Sequence, residues 1–577
     1  MVEAELINGS VDVATEEKIG QARTLRGVAP AGHLIPYRHI GHLLAMRTAE
    51  SPDKLFLIHY DGSGRREQFT YAEFTGRVNQ FANLLANQLG VRRGDRIATV
   101  GHNHSLITFI YFAAWKIGAA IAPQNVTEDD QRIAYIIHNA EAKVLFCFPE
   151  YTGRVEAIRP HIPKVGHFVW LDEASQAQIA QLPTPFTPPN EPPLEDEALL
   201  VYTSGTTGAP KGVVLTQYNL LVDAWGISNW QAITGNQRMM CVLPIHHVNG
   251  IIATIITPLF VGGSLVLNRA YSSHHFWERM AREKVHIVSV VPTLLQFSCD
   301  LADKQVGEGQ SIFGEGVSRD DLSHFRHLVC GAGTLPVSLV QRFEGRFGFP
   351  ILHGYGLSET TCYSCFLPIN LDQATHQRWL TEYGYPSIGC PILPNEMAIF
   401  DPAGNGQQLG PGQRGEICIR GHNVMKYYYH RPDANQTTFA FGWFRSGDEG
   451  FYQEDEQGRP FFFITGRIKE LINRGGVKFS PFDIEEELLR IPGVKVGLAI
   501  AFENDYYGEE IGAYIVPEEG QTLDPDQIIT HCRERLGFAK SPKVVLFGQE
   551  IPVTTTGKYQ RLRLRDQFAP WKNSQFR

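Results

Sequence analysis

Downstream of Thr70, apolar residues recur at helical spacing: Phe74, Val78, Phe81, Leu84 and Leu85 share one face of a 3.6-residue period. Thr70 and Glu73 head that run three residues apart, so that each side chain can satisfy the other's backbone N–H. A helix is therefore predicted from residue 71 onwards. Short β-rich runs follow at 143–148 (KVLFCF), 286–291 (HIVSVV) and 327–330 (HLVC). Strand runs separated by amphipathic helices predict parallel sheets covered by helices. Residues 250–267 (GIIATIITPLFVGGSLVL) carry no charge and approach the length of a membrane span. Pro258 and Gly262-Gly263 divide them, so a buried helix, a turn and a strand are predicted and no transmembrane segment. Six prolines between 183 and 193 predict an extended connector.

The texture changes towards the C-terminal end. Residues 471–480 (LINRGGVKFS) read as strand, Gly-Gly turn, strand. Ser480, Pro481 and Asp483 supply an N-cap, a proline at the first helical position and an acidic third position. The helix they open passes Glu485, Glu486 and Leu489 and ends by Pro492-Gly493. A chain of 577 residues exceeds what one core organises. The expectation is a large α/β domain over 1–468 and a small α+β domain over 469–577.

Composition narrows the function classes. With 43% hydrophobic and 20% charged residues the chain is globular, and a net charge of −9 argues against a nucleic-acid partner. A few local lysines and arginines still suffice to hold a phosphate. The nine cysteines include one CxxC, Cys362 to Cys365, with no second pair at zinc-ligand spacing. Reduced thiols in a cytoplasmic protein are expected. Residues 1–36 contain Glu3, Glu5, Glu16 and Glu17 and no apolar core, unlike a signal peptide.

The strongest local signal is 202–212 (YTSGTTGAPKG), after a strand-like 198–201. Its glycines let backbone N–H groups converge on an anion, its hydroxyls add donors, and Lys211 adds charge. It is not a Walker A loop: the chain's GK dipeptide, Gly557-Lys558, is followed by Tyr559. A short GTTG alone would be a polar turn; the full string favours a polyphosphate loop. It closely resembles the glycine-rich motif of the adenylate-forming superfamily, which includes acyl-CoA synthetases, peptide-synthetase adenylation domains and beetle luciferases. The resemblance continues in order over about 500 residues, and it is greatest to AMP-forming acyl-CoA synthetases.

That resemblance implies an architecture and a set of roles. The large domain would stack mostly parallel α/β subdomains with a small β-barrel-like element, and the small domain would be mobile. Thr203, Ser204, Gly205, Thr206, Thr207, Gly208 and Lys211 would bind the β- and γ-phosphates of ATP. In 354–360 (GYGLSET), where Ser-Glu-Thr alone could merely cap a helix, Glu359 becomes the Mg²⁺ contact and Thr360 an α-phosphate contact. Gly354 and Tyr355 would face the adenine, with Gly331, Ala332 and Gly333 on its other side. Asp448, in Ser446-Gly447-Asp448 where the family usually has Thr first, would accept the ribose hydroxyls beside Arg467. Lys558, in 552–558 (PVTTTGK), would be the catalytic lysine that stabilises charge at the α-phosphate.

The same resemblance places Lys469 at the interdomain hinge and Arg474, Gly475 and Gly476 at the CoA tunnel, although Gly475-Gly476 also reads as a plain hairpin turn. His247, in 244–250 (PIHHVNG), matches a histidine near the acyl carbonyl, and no aspartate marks an amino-acid substrate. Gly356 stands where acetate-specific members carry Trp, which would leave room for a longer or aromatic acyl chain. The implied reaction is ATP-dependent activation of a carboxylic acid as an acyl-adenylate, then transfer to coenzyme A. A carrier-protein phosphopantetheine thiol is the alternative acceptor, and a non-catalytic nucleotide-binding regulator is the alternative of another class. The acid, and whether the chain is a monomer or a homodimer, stay open.

Overall fold

The computed structural model describes residues 9–203, 209–404, 406–553 and 559–576. Two large sheets carry most of the chain. The nine-stranded sheet has a parallel centre, Ile351–Tyr355, His327–Cys330, Ile287–Val290, Arg238–Cys241, Ser264–Asn268 and Leu55–Tyr60 in spatial order. Short antiparallel strands close both its edges. The seven-stranded sheet runs Tyr427–Tyr429, Lys211–Thr216, Glu197–Thr203, Ala120–Gln124, Arg96–Val100, Val144–Cys147 and His167–Trp170. Its first three strands pair antiparallel and the rest parallel. Strands buried on both faces need continuous apolar runs, which is what 143–148, 286–291 and 327–330 supply.

The local signals in the sequence act as expected. Thr70 and Glu73 form a reciprocal capping box on helix Tyr71–Asn83. Leu84 and Leu85 continue it as one π-helical turn, Leu84–Gln88. Within 250–267, π-helix Asn249–Ile256 leads into α-helix Thr257–Val261, which stops at Gly262 with φ +76°. Strand Ser264–Asn268 follows in the middle of the nine-stranded sheet. Among the described residues no helix is long and apolar enough to cross a membrane.

The β-barrel-like element expected of the large domain is a four-stranded antiparallel sheet: Asn395–Phe400, Gly415–Gly421, Phe444–Glu454 and Pro460–Arg467. Trp379 ties it to the nine-stranded sheet. Its indole is 1% exposed and stacks on Phe461 with ring centroids 3.8 Å apart, in a core that also holds Val288, Leu328 and Phe343.

Beyond it lies the small α+β lobe. Strands Ile472–Arg474 and Val477–Phe479 form the predicted hairpin, joined to long strands Val494–Asn504 and Gly508–Pro517, with Val544–Phe547 alongside. Ser480 caps helix Pro481–Leu488, accepting from the Phe482 N–H. That helix meets the large lobe: Phe482 packs in the core with Phe461 and Phe463, Arg414 reaches Asp483 at 3.4 Å, and Glu486 accepts from the Val337 N–H at 3.4 Å.

Because Trp379 joins two sheets, Trp379→Ala should destabilise the large lobe by about 3–5 kcal/mol. Denaturant unfolding followed by near-UV circular dichroism checks this; a loss below about 1 kcal/mol would show that Phe461 and Tyr383 close over the gap.

Candidate active site

Strand Ile351–Tyr355 delivers the chain to the centre of the cleft, where 356–363 bends back across the sheet edge. Glu359 and Thr360 lie in a single 3-10 turn, Ser358–Thr360, and both are buried. The helix that Ser-Glu-Thr alone could cap does not form. Segment 422–428 runs beside this turn and holds it at three heights. The Asn423 carbonyl accepts from Thr361 Oγ1 at 2.6 Å, the Met425 N–H donates to the Glu359 carbonyl at 2.8 Å, and the Tyr428 hydroxyl donates to Glu359 Oε1 at 2.7 Å.

Tyr428 carries no motif signature and was missed in the sequence, where it sits in an aromatic triplet that reads as a core strand. In the structure it links the phosphate end of the site. Its ring lies under the Lys211 ammonium, 4.2 Å from Nζ to centroid, while its hydroxyl holds Glu359. Burial and the Glu359 carboxylate both keep that phenol protonated, well above its ordinary range. Lys211 opens strand Lys211–Thr216 opposite Thr203, the last residue of the preceding strand. Burial lowers the affinity of Lys211 for its proton; Glu359 opposes this, while Lys469 and Arg431 reinforce it. Arg431 is itself paired with Asp433 at 2.8 Å. The remaining phosphate-loop candidates, Ser204, Gly205, Thr206, Thr207 and Gly208, lie outside the described residues, as does Lys558.

The other end of the cleft is built on the paired strands Phe444–Glu454 and Pro460–Arg467. Their register puts Asp448 opposite Arg467, with Arg467 Nε 3.4 Å from Asp448 Oδ1. Tyr355 donates its hydroxyl to Asp448 Oδ2 at 2.6 Å. Burial and that carboxylate raise the Tyr355 phenol well above its usual range, so it stays a donor. Ser446 keeps the role of the usual Thr: its hydroxyl accepts the Asp448 N–H at 3.0 Å and donates to the Ile417 carbonyl at 2.6 Å. Asp448, first among its neighbouring charges, raises the affinity of Arg467 for its proton. Lys469 is exposed, in the 3-10 turn Ile468–Glu470 where the chain leaves for the small lobe.

The wall beside Tyr355 is glycine-lined for steric reasons. A Cβ at Gly331 would sit 2.8 Å from the Gly354 carbonyl oxygen and 2.9 Å from the Tyr363 hydroxyl; Gly354 packs its own face on Phe366. Ala332 between them adopts φ +63°, and Gly333 faces Pro292. Tyr363, 2% exposed, accepts from Asn249 Nδ2 at 2.9 Å, and Asn249 Oδ1 accepts from Ser289 at 2.7 Å. His246 and His247 stand next to Asn249 with ring centroids 4.5 Å apart, and burial holds the His246 imidazole neutral.

At Gly356 a Cβ would lie 2.0 Å from the Cys362 carbonyl oxygen, so glycine there serves close packing of one backbone segment on another. Beside the Gly475-Gly476 turn, the Arg474 side chain is buried, donates to Glu510 at 2.7 Å and lies 3.8 Å from the Tyr507 ring centroid. The glycines of that turn do face outward, at φ +60° and +89°, as a two-residue hairpin of primed type requires.

All nine cysteines are buried and none is in a disulfide. Among the described residues no cluster of three His, Cys, Asp or Glu side chains could hold a metal. A site offering one carboxylate is compatible with Mg²⁺, which keeps several waters and leans on substrate phosphates.

Residues 44–429 match the family described as AMP-binding enzyme, and residues 483–558 match the AMP-binding enzyme C-terminal domain. The chain is 31% identical over 529 residues to the sulfoacetate--CoA ligase of Cupriavidus necator, covering 90% of this chain and 96% of that protein. It is 30% identical over 510 residues to the oxalate--CoA ligase of Arabidopsis thaliana, covering 86% and 93%. It is similar to ATP-bound MatB from Rhodopseudomonas palustris, with 26% identity, a TM-score of 0.80 and coverage of 92% and 99%.

Given the close approach at Gly356, the smallest side chain already forces the backbone of 362 aside. Gly356→Ala should lower stability by about 1–3 kcal/mol, read as a fall in Tm, and an unchanged Tm would show the two segments free to separate.

Proposed function

Because the chain belongs to the AMP-binding enzyme family, we propose a residue-by-residue division of labour for its acid–thiol ligase reaction. The enzyme is an AMP-forming CoA ligase. A carboxylate oxygen of the acid attacks the α-phosphorus of ATP, the bond to the bridging oxygen breaks, and pyrophosphate leaves. The CoA thiolate then attacks the carbonyl carbon of the acyl-adenylate, and AMP leaves with the bonding pair.

The observation that supports this assignment best is a pair of buried carboxylates held by tyrosine hydroxyls: Asp448 accepts from Tyr355 at 2.6 Å and lies 3.4 Å from Arg467, and Glu359 accepts from Tyr428 at 2.7 Å, whose ring lies under Lys211. An ionised carboxylate offers about four lone-pair sites. Tyr355 and Arg467 occupy two on Asp448, which leaves two for the ribose hydroxyls. Tyr355 is thereby fixed as a face for adenine. Lys211, with Thr203 and the loop 204–208, takes the β- and γ-phosphates, and Glu359 holds Mg²⁺, oriented by Tyr428. Mg²⁺ supplies charge neutralisation on the phosphates. Thr360 meets the α-phosphate, and Lys558 stabilises the charge that develops there. Lys469 is the hinge between residues 1–468 and 469–577, and the Gly475-Gly476 turn approaches the pantetheine arm of CoA.

The acid is proposed to be short and hydrogen-bonding. The Tyr363 ring packs on Gly331, and its hydroxyl with the Asn249 amide supplies polar groups two residues along the chain from His247. The ligases for sulfoacetate and oxalate act, by name, on acids of that kind. A carrier-protein thiol remains the alternative acceptor. A cytoplasmic location is favoured by nine unpaired cysteines.

A panel of carboxylic acids assayed for acid-dependent ATP–pyrophosphate exchange, then for CoA thioester, tests the proposal. Short polar acids should give the highest kcat/KM; a preference for long-chain fatty acids would overturn the acid assignment, and exchange without thioester would transfer the acceptor to a carrier protein. Lys558→Ala should lower exchange by about a hundredfold or more while thioester formation from supplied acyl-AMP stays near normal; an equal fall in both would refute the division of labour. Tyr428→Phe removes one hydrogen bond to a charged group, so exchange should fall about ten- to hundredfold, with the loss partly relieved by raised Mg²⁺. Activity within twofold of the unmutated enzyme would dismiss Tyr428 as the orienting group.

A further inference from the structure

Directly after Glu359 and Thr360 the backbone takes a form that few side chains tolerate. Thr361 has φ +68° and ψ −58°, and the Cys362 N–H donates to the Thr360 carbonyl at 2.8 Å. That is a three-residue γ-turn of the positive-φ kind, the rare and strained one. Threonine is β-branched, which makes a positive φ a genuine outlier. Such a conformation persists only where its surroundings over-determine it, and it concentrates at functional sites.

Here the surroundings are two side chains from distant parts of the chain. Asp223, on helix Gln217–Trp230, accepts the Tyr363 N–H on Oδ2 at 3.3 Å and the Asn423 amide on Oδ1 at 3.0 Å. Asn423 also donates to the Tyr363 carbonyl at 3.1 Å, and its own carbonyl takes the Thr361 hydroxyl at 2.6 Å. Both backbone polar groups of Tyr363 and the side chain of Thr361 are thus tied down. Asp223, Thr361 and Asn423 are each 0% exposed. A fully buried carboxyl is an expensive way to satisfy two amides, and burial pushes it up to about 8. Helix Gln217–Trp230 braces the other side: Asn219 Nδ2 donates to the carbonyls of His422 and Val424, at 2.9 and 3.1 Å.

We propose that Asp223 and Asn423 form a clamp that keeps the Thr361 turn in its strained form and so sets Glu359 and Thr360 in register for adenylate formation. They are positioning residues, since neither faces the cleft. The proposal rests on the roles given above to Glu359 and Thr360.

The test uses the full-length enzyme, ATP–pyrophosphate exchange with its best acid, and Tm. Asn423→Ala should lower the kcat of exchange about tenfold or more, with the KM for ATP held within about threefold, because binding groups stay in place while the Tyr363 carbonyl and Asp223 lose their amide partner; the Thr361 bond, made to the main-chain carbonyl of residue 423, is kept. Thr361→Gly alone should stay within about threefold, since glycine takes a positive φ without restraint. Combined with Asn423→Ala, Thr361→Gly should restore most of the lost kcat, a rescue that simple loss of core packing would not give. If Asn423→Ala does not fold, Thr361→Val keeps the strain and removes the bond to Asn423, and carries the same expected fall in kcat. Full kcat in Asn423→Ala, or a loss that Thr361→Gly does not relieve, overturns the clamp. If the unmutated enzyme shows no acid-dependent exchange, the adenylation reading fails instead, and the clamp stands or falls on Tm: a drop in Asn423→Ala recovered by Thr361→Gly supports it, and no recovery refutes it.

Discussion

Two irregular stretches of backbone must be buried against each other at the junction of the sheets, and each supplies what the other lacks. Segment 357–363 is too bent to satisfy its own peptide groups, and 422–428 is strand-paired over only its last residues. Placed side by side, they exchange backbone and side-chain bonds along their length, and an unpaired peptide group here would cost about as much as any single packing contact contributes. Two polar side chains of helix Gln217–Trp230 complete the arrangement, which explains why a helix buried almost all round carries Asn219 and Asp223 on this side. Phosphate-end geometry, glycine wall and sheet edge all follow from this one contact.

The fold was legible where periodicity and chain punctuation are strong. The Thr70–Glu73 box, the Pro258 and Gly262 breaks and the Ser480-Pro481 start each depend on neighbours within a few residues, so sequence alone contains the whole interaction. The Asp448–Arg467 pairing was legible only through resemblance, because it arises from strand register. Tyr428, Asp223 and Asn423 were not legible at all. Their partners lie 69, 140 and 60 residues away, and each side chain reads locally as an ordinary strand or helix position. Gly356 shows the converse: an absent side chain is not open space where a neighbouring backbone segment occupies it, and sequence alone does not contain that neighbour.

The small lobe joins the large one through the start of helix Pro481–Leu488. Its contacts include one aromatic ring, Phe482, a buried hydrogen bond from the Ser480 hydroxyl to the Thr465 carbonyl, and polar reaches at 3.4 Å from Asp483 and Glu486. Partly exposed pairs of that length hold weakly and are screened by salt, so the buried groups contribute most of what holds this seam.

The cysteines bear on the chemistry by what they are prevented from doing. An acyl-adenylate is a reactive acylating agent, and Cys362 stands two residues beyond Thr360 in the chain. Burial raises every one of the nine thiols, Cys299 to about 11 and Cys147, Cys241, Cys390 and Cys532 to about 12, the others also upward. Since the thiolate is the nucleophile, the protein offers its own intermediate no competent sulfur. Self-acylation is suppressed by the dryness of the core, and the acyl group waits for the sulfur that arrives with the second substrate.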